Sequence, residues 1–310
     1  MDFEKIKQEL TDSQVKSNKY IGISPTTVKN YVNKLKLLQL NEVTPDKMVE
    51  YIKTKYTNNN SRNANQIAIT GTAKHSPYFK EYIGQDVLDA FVKENEKTMS
   101  ELRGNPNKQQ KTEQQEANWI DLKDLKALFK EKRSEFNTQD QILISMYILM
   151  PPARLDYHNI KIVRGEFINP ETNLPDGIIE KQNYLKIFKK RSTSAAELIL
   201  KEYKTSATYG DQINKIPKAI TDLILQLPVT TQYLFEKKAG GPFSSPETYA
   251  VYLRNIFNKL TGKNLSVDLL RSIYITDFRK GEKSTLKKQE LARKMMNSVT
   301  VQDNYLKIEN

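Results

Sequence analysis

Along the first hundred residues, apolar side chains recur at helical spacing and are interrupted by short polar stops. Ser24-Pro25 reads as an N-cap followed by proline at the first helical position, and Val28, Tyr31, Val32 and Leu35 follow three or four residues apart. Thr44-Pro45 repeats the start signal ahead of Met48, Tyr51 and Ile52. Asn58-Asn59-Asn60-Ser61 breaks the pattern, which resumes over Gln66–Ala73 and Asp86–Glu96. The stretch Gly104–Glu116 (GNPNKQQKTEQQE) then carries no aliphatic or aromatic side chain. A stretch with nothing to bury reads as a tether. The pattern therefore predicts a helical domain over 1–103, a linker over 104–116 and a second domain over 117–310.

Trp119-Ile120-Asp121 opens that second domain. Leu122, Leu125, Leu128 and Phe129 mark one helix, and Gln139–Met150 is apolar enough to be a buried one. Alternation takes over at Asn159–Phe167, Asn183–Phe188, Leu198–Tyr203 and Gln212–Ile216, the signal of a small antiparallel sheet. Helical spacing returns at Lys218–Gln226, Pro246–Leu260, Val267–Phe278 and Ser284–Asn297. The expected class is mainly α with a small antiparallel β-sheet (α+β).

Composition changes the picture in two ways. A net charge of +12 and a pI near 9.4 point to a polyanionic partner, either nucleic acid or an anionic membrane surface. Part of that charge also fits the lysine, asparagine and isoleucine bias of an AT-rich genome. No apolar run approaches the roughly 18 residues that span a bilayer, and Met1–Glu4 carries acid where a secretory signal would be basic and apolar. No helix sets aromatics on one face and lysines on the other, as a membrane-surface helix would. The expectation is therefore an intracellular, non-secreted protein, with no membrane and no small-molecule substrate. There are no cysteines, and His75 and His158 are the only histidines. That supplies poorly both metal centres and Ser-His or Cys-His catalysis, so neither metal nor cofactor is expected and any chemistry falls to Arg, Lys, Tyr, Asp or Glu.

Four places hold such residues in suggestive settings. Arg154 lies in Pro151-Pro152-Ala153-Arg154-Leu155-Asp156-Tyr157, directly after the apolar helix. Lys204 lies in Tyr203-Lys204-Thr205-Ser206 at a strand end, where an ordinary hairpin lysine also fits. Arg271 sits in Asp268–Thr276, a helix apolar enough to be buried, although arginine is rarely buried unpaired. Tyr305 is one of 16 tyrosines and means little alone. In the first domain, Lys29, Lys34, Lys36 and Arg62 interleave with the helices, as a solvated face or as DNA contacts.

Taken in order, Arg154, Lys204, Arg271 and Tyr305 behind a helical module resemble the tyrosine recombinase (lambda-integrase-like) family. The resemblance is nearest to integrases of virophages and large DNA viruses. It rests on the boxes Pro151–Tyr157, Tyr203–Gly210, Leu269–Thr276 and Met295–Ile308, which together span about half the chain. The resemblance implies a core-binding domain followed by a catalytic domain. It also implies DNA cleavage and rejoining through a 3′-phosphotyrosyl link to Tyr305, as in viral genome integration, in a host nucleus or viral factory. In this reading Arg154 and Arg271 clamp the non-bridging phosphate oxygens, a task for bidentate and always ionised donors. Lys204 protonates the leaving 5′-oxygen. The partner is double-stranded DNA, with self-association to a tetramer for strand exchange.

Two positions depart from the family pattern. Asp268 stands where a histidine is common, three residues before Arg271; a carboxylate accepts the tyrosine proton but adds negative charge beside a phosphate. Met296 stands where His or Trp donates to the phosphate, nine residues before Tyr305, and Asn297 beside it is the available substitute. Loss of one such donor costs about 10²–10³ in rate. The alternative is a catalytically weak or inactive recombinase-derived DNA-binding protein. Type IB topoisomerases and telomere resolvases share the residue set.

Overall fold

A computed structural model describes residues 1–13, 23–104, 109–165, 168–169, 174–175, 177–190, 193–282 and 284–308. The chain divides into two compact units, residues 1–106 and 107–310.

The first unit is helical: α1 (Phe3–Asp12), α2 (Pro25–Leu38), α3 (Met48–Lys55), α4 (Asn59–His75), α5 (Pro77–Ile83) and α6 (Gln85–Gly104). The starts follow local chemistry. The Ser24 hydroxyl accepts from Thr27 N, Asn58 accepts from Asn60 N and Ser61 N, and Ser76 accepts from Phe79 N with Pro77 at the first helical position. Ile6, Leu10, Val32, Leu35, Ile52, Ile69, Phe79 and Phe91 form the core, so the helical stripe read from the sequence is the buried one. Gly71 of α4 lets α2 approach closely; a Cβ there would lie 2.6 Å from the Tyr31 ring.

The second unit is α+β. Its helices are α7 (Glu113–Asn118), α8 (Leu122–Lys132), α9 (Thr138–Ile148), α10 (Ser206–Tyr209), α11 (Lys218–Ile224), α12 (Pro246–Thr261), α13 (Val267–Gly281), α14 (Thr285–Lys294) and α15 (Val299–Asp303). Its strands are β1 (Lys161–Arg164), β2 (Ile168–Asn169), β3 (Leu174–Pro175), β4 (Tyr184–Lys190), β5 (Thr193–Leu200) and β6 (Gln212–Lys215). The main sheet runs β1-β4-β5-β6, and β2 pairs separately with β3. The β4-β5-β6 part is antiparallel, as the alternation predicts. The sheet as a whole is mixed, because β1 joins β4 in parallel, Lys161 opposite Tyr184. The intervening residues 165–183 are long enough to bring the chain back in the same direction, which a tight hairpin cannot do. The end of the expected strand at Glu166 and Phe167 lies outside the described residues.

Two further differences have local causes. The expected strand over Leu198–Tyr203 begins earlier, at Thr193, and stops at Leu200. Buried Asn183 ends it by accepting from Lys201 N (2.8 Å) and Glu202 N (2.9 Å) while donating to Glu202 O (2.8 Å). The polar stretch expected as a linker over 104–116 is partly ordered structure. Gly104 closes α6, and Glu113–Asn118 is helical behind a Thr112–Gln115 capping box. Polar side chains are enough to build such a helix end without apolar burial. Residues 105–108 lie outside the described residues.

The core of the second unit gathers α8, α9, α12 and α13 on one another through Leu125, Ile144, Leu253, Phe257 and Leu270, while α11 bridges α9 and β5. Phe257 meets Tyr147 edge to face, centroids 6.2 Å apart. Among the described residues, no helix is long and apolar enough to cross a membrane. Phe257→Ala is expected to destabilise this unit by about 3–5 kcal/mol. Trp119, the only tryptophan, packs on the same core, so its fluorescence in a denaturant titration measures the loss.

Candidate active site

Arg271 is placed by α13, whose Leu269, Leu270, Ile273 and Ile275 are buried and carry the guanidinium inward with them. Its relative exposure is 0%. Nη1 donates to Pro152 O at 2.6 Å and Nη2 to Met295 O at 3.3 Å. The Asn297 amide, in the orientation that satisfies both of its ends, accepts from Arg271 Nη2 at 2.9 Å and donates to Ala292 O at 3.1 Å. Arg271 Nε is buried without a hydrogen-bond partner, and no carboxylate forms a salt bridge with this arginine among the described residues. Burial lowers its pKa from the usual arginine value, opposed first by the neighbouring Tyr305.

Arg154 reaches the same place from the loop that follows α9, which Pro151-Pro152 turns away from helix. Two buried tyrosines lock this loop: Tyr147 OH donates to Arg154 O (2.9 Å), and Tyr157 OH accepts from Ala153 N (3.2 Å). Arg154 Nη1 donates to Met296 O at 3.3 Å, and Thr205 Oγ1 donates to the same oxygen at 2.9 Å. Met296 is able to offer that carbonyl because its backbone takes a left-handed conformation, φ 56°, just past the end of α14. Its side chain is fully buried in the core.

At Met296 the group turned toward Arg154 and Thr205 is the main-chain carbonyl oxygen. The Asn297 amide uses one N–H on Ala292 O and its oxygen on Arg271 Nη2. Lys204 is exposed on the turn between β5 and α10, and its neighbour Thr205 ties that turn to Met296. Tyr305 follows α15; its hydroxyl donates to Asp268 Oδ1 at 3.2 Å, and its ring centroid lies 5.0 Å from Arg271 Cζ. Asp268 is exposed at the start of α13, one turn before Arg271. Arg154, Arg271, Asp268, Met296 and Tyr305 are thus in one locus, with the Lys204 turn fastened to it.

Thr205, the carbonyl of Met296 and the supporting amide of Asn297 carry no spacing signal that the sequence would have revealed. Asp156 does lie within the first arginine box. Burial pushes its carboxyl above the ordinary range, and the charges of Arg154 and Arg271 pull against that rise. Of the basic residues in the first unit, Lys29 and Lys36 line one groove of about 430 Å³ with Lys7, and Lys34 is half-buried. Arg62 is engaged internally, donating from Nε to Tyr56 O (3.1 Å) and from Nη2 to Thr57 O (3.4 Å).

No family model and no curated protein matches the chain. Among solved structures it is similar to the crystal structure of XerA recombinase, at 14% identity and a TM-score of 0.40, over 100% of this chain and 95% of that one. A likeness so distant carries no argument about the site, which stands on its own geometry.

The raised pKa of Asp156 has a definite sign for stability. The folded state binds the proton more tightly than the unfolded chain, so stability falls as pH rises from the ordinary aspartate value through the raised one. Asp156→Asn removes this dependence. Denaturant titrations from pH 4 to pH 7 should show the variant losing less stability than the wild type over that interval; a variant that loses more contradicts the assignment.

Proposed function

We propose that the protein breaks and rejoins DNA strands by the recombinase route, with Tyr305 as the nucleophile. The observation that carries the reading is the arrangement around that one side chain: its hydroxyl on the Asp268 carboxylate and its ring against the buried Arg271. A phenol is useful in strand breakage because it conserves the phosphodiester bond energy in a covalent link. Its hydroxyl oxygen bonds to phosphorus, its proton passes to Asp268, and the bond from phosphorus to the 5′-oxygen breaks. Lys204, exposed on its turn, supplies the proton that the leaving 5′-oxygen takes up. The 3′ side of the strand stays on Tyr305, and attack by a 5′-hydroxyl reverses the step and reseals DNA.

Arg154 and Arg271 meet the charge that gathers on the non-bridging oxygens. The unpartnered Nε of Arg271 is a buried donor that an incoming phosphate oxygen would satisfy. The net charge of +12 supports double-stranded DNA as the partner. Exchange between two duplexes would take four copies of the chain on DNA, and integration into a target duplex is the finer use that the sequence resemblance suggests. Asp268 takes the place of the usual histidine and Met296 supplies no donor to the phosphate, so turnover is expected to be slow while covalent attachment is retained.

The test uses a nicked suicide duplex and a denaturing gel. The wild type should give a detergent-stable protein–DNA adduct, and Tyr305→Phe none. Absence of the adduct from the wild type, with DNA still bound, would favour the non-catalytic DNA-binding alternative. An undiminished adduct from Tyr305→Phe would rule out this nucleophile.

A further inference from the structure

The segment that carries Tyr305 packs through Leu306 on Ile275, Leu291 and Met295, and Arg279 reaches Asp303 at 3.4 Å, but it is short. The α15 helix has only five residues, too few to be stable alone, and the residues after it have no regular structure. Three hydrogen bonds fasten this segment immediately after the tyrosine. Lys307 N donates to Thr276 Oγ1 of α13 at 3.0 Å. The other two go to residues 109–110, which the sequence assigns to the tether: Ile308 N donates to Gln109 O at 3.0 Å, and Lys307 Nζ donates to Gln110 O at 3.1 Å. Gln109 Nε2 adds a longer contact to Asp303 O at 3.5 Å, just before the tyrosine.

These residues are themselves anchored. Lys111 pairs with Glu116 at 3.4 Å and lies over the Trp119 ring, 4.7 Å from its centroid, and α7 follows at once. The Lys307 side chain is only 8% exposed. In this placement the Lys307 ammonium keeps a hydrogen bond to Gln110 O, which offsets part of the cost of taking it out of water.

We propose that residues 109–111 are positioning residues for the nucleophile: they strap down the segment 303–308 and so keep Tyr305 against Arg271 and on Asp268. The inference rests on the proposed role of Tyr305 and adds a dependence that the resemblance does not contain. The strap is the first described part of the second unit after the chain leaves the first one. Nucleophilic attack is sensitive to the tyrosine's placement, because displacement by about 1 Å costs up to about 10²-fold in rate.

Two variants break the strap at different atoms. Lys307→Met removes the ammonium that reaches Gln110. Ile308→Pro removes the N–H that reaches Gln109, at a side chain that is 54% exposed and contributes little packing. The full-length variants are compared with the wild type by adduct formation on the suicide duplex, DNA affinity, Trp119 unfolding midpoint and amide exchange over Tyr305–Lys307. Both should form adduct about 10- to 100-fold more slowly, with DNA affinity and unfolding midpoint unchanged and tail amides exchanging faster. Lys307→Arg, which keeps a cationic donor, should recover most of the rate. Adduct formation within twofold of wild type despite faster tail exchange overturns the proposal, as does tail exchange as slow as in the wild type. If the wild type forms no adduct, the catalytic reading fails, and the exchange comparison alone decides whether the strap holds the tail.

Discussion

A fully buried guanidinium organises the second unit. Arg271 gives its two terminal nitrogens to Pro152 O, Met295 O and the Asn297 amide, all neutral acceptors, and it has no salt-bridged carboxylate among the described residues. Such an ion pays a large desolvation cost that carbonyl dipoles only partly offset. Replacing it with an apolar side chain of similar volume would relieve that cost. Its place in the core makes sense when the positive charge is needed, and buried charges with perturbed pKa values concentrate at functional sites. Asp156 fits the same account from the other side: it is a carboxyl held above its ordinary range by burial, while the two arginines draw it back.

Backbone carbonyls knit the locus together as much as side chains do. The oxygen of Met296 receives both Arg154 and Thr205, so a single left-handed residue after α14 joins the loop after α9 to the turn that carries Lys204. Met295, one residue earlier, serves Arg271. Three parts of the unit that are distant in sequence are therefore fixed relative to one another by two consecutive peptide groups. The left-handed conformation at Met296 costs energy in a non-glycine residue, and its fully buried side chain helps to hold it.

Much of this was legible beforehand. Ser24-Pro25 marks a helix start that the structure keeps, because capping and the fixed proline φ are local effects. Arg271 stood out because arginine inside an apolar helical run conflicts with its surroundings, and only tertiary structure resolves such a conflict. The parallel β1–β4 pair was not legible, since alternation reports which face is buried and not which strand lies alongside. Nor was the order in residues 109–118: polar stretches show no periodicity, and their contacts are made with the far end of the chain. The carbonyl of Met296 was hidden for a simpler reason. Side-chain identity says nothing about where a main-chain oxygen points.

The central claim is that the buried charge of Arg271 exists to meet the charge of a DNA phosphate, and it is tested most directly by changing that charge. The measurement is cleavage by Arg271→Ala on two suicide duplexes that differ only at the scissile position, one with the natural phosphodiester and one with a neutral methylphosphonate. The variant should lose cleavage of the phosphodiester yet keep covalent attachment to the methylphosphonate, because the neutral group no longer needs the clamp. Equal and complete loss on both substrates, with DNA binding and folding intact, would contradict it.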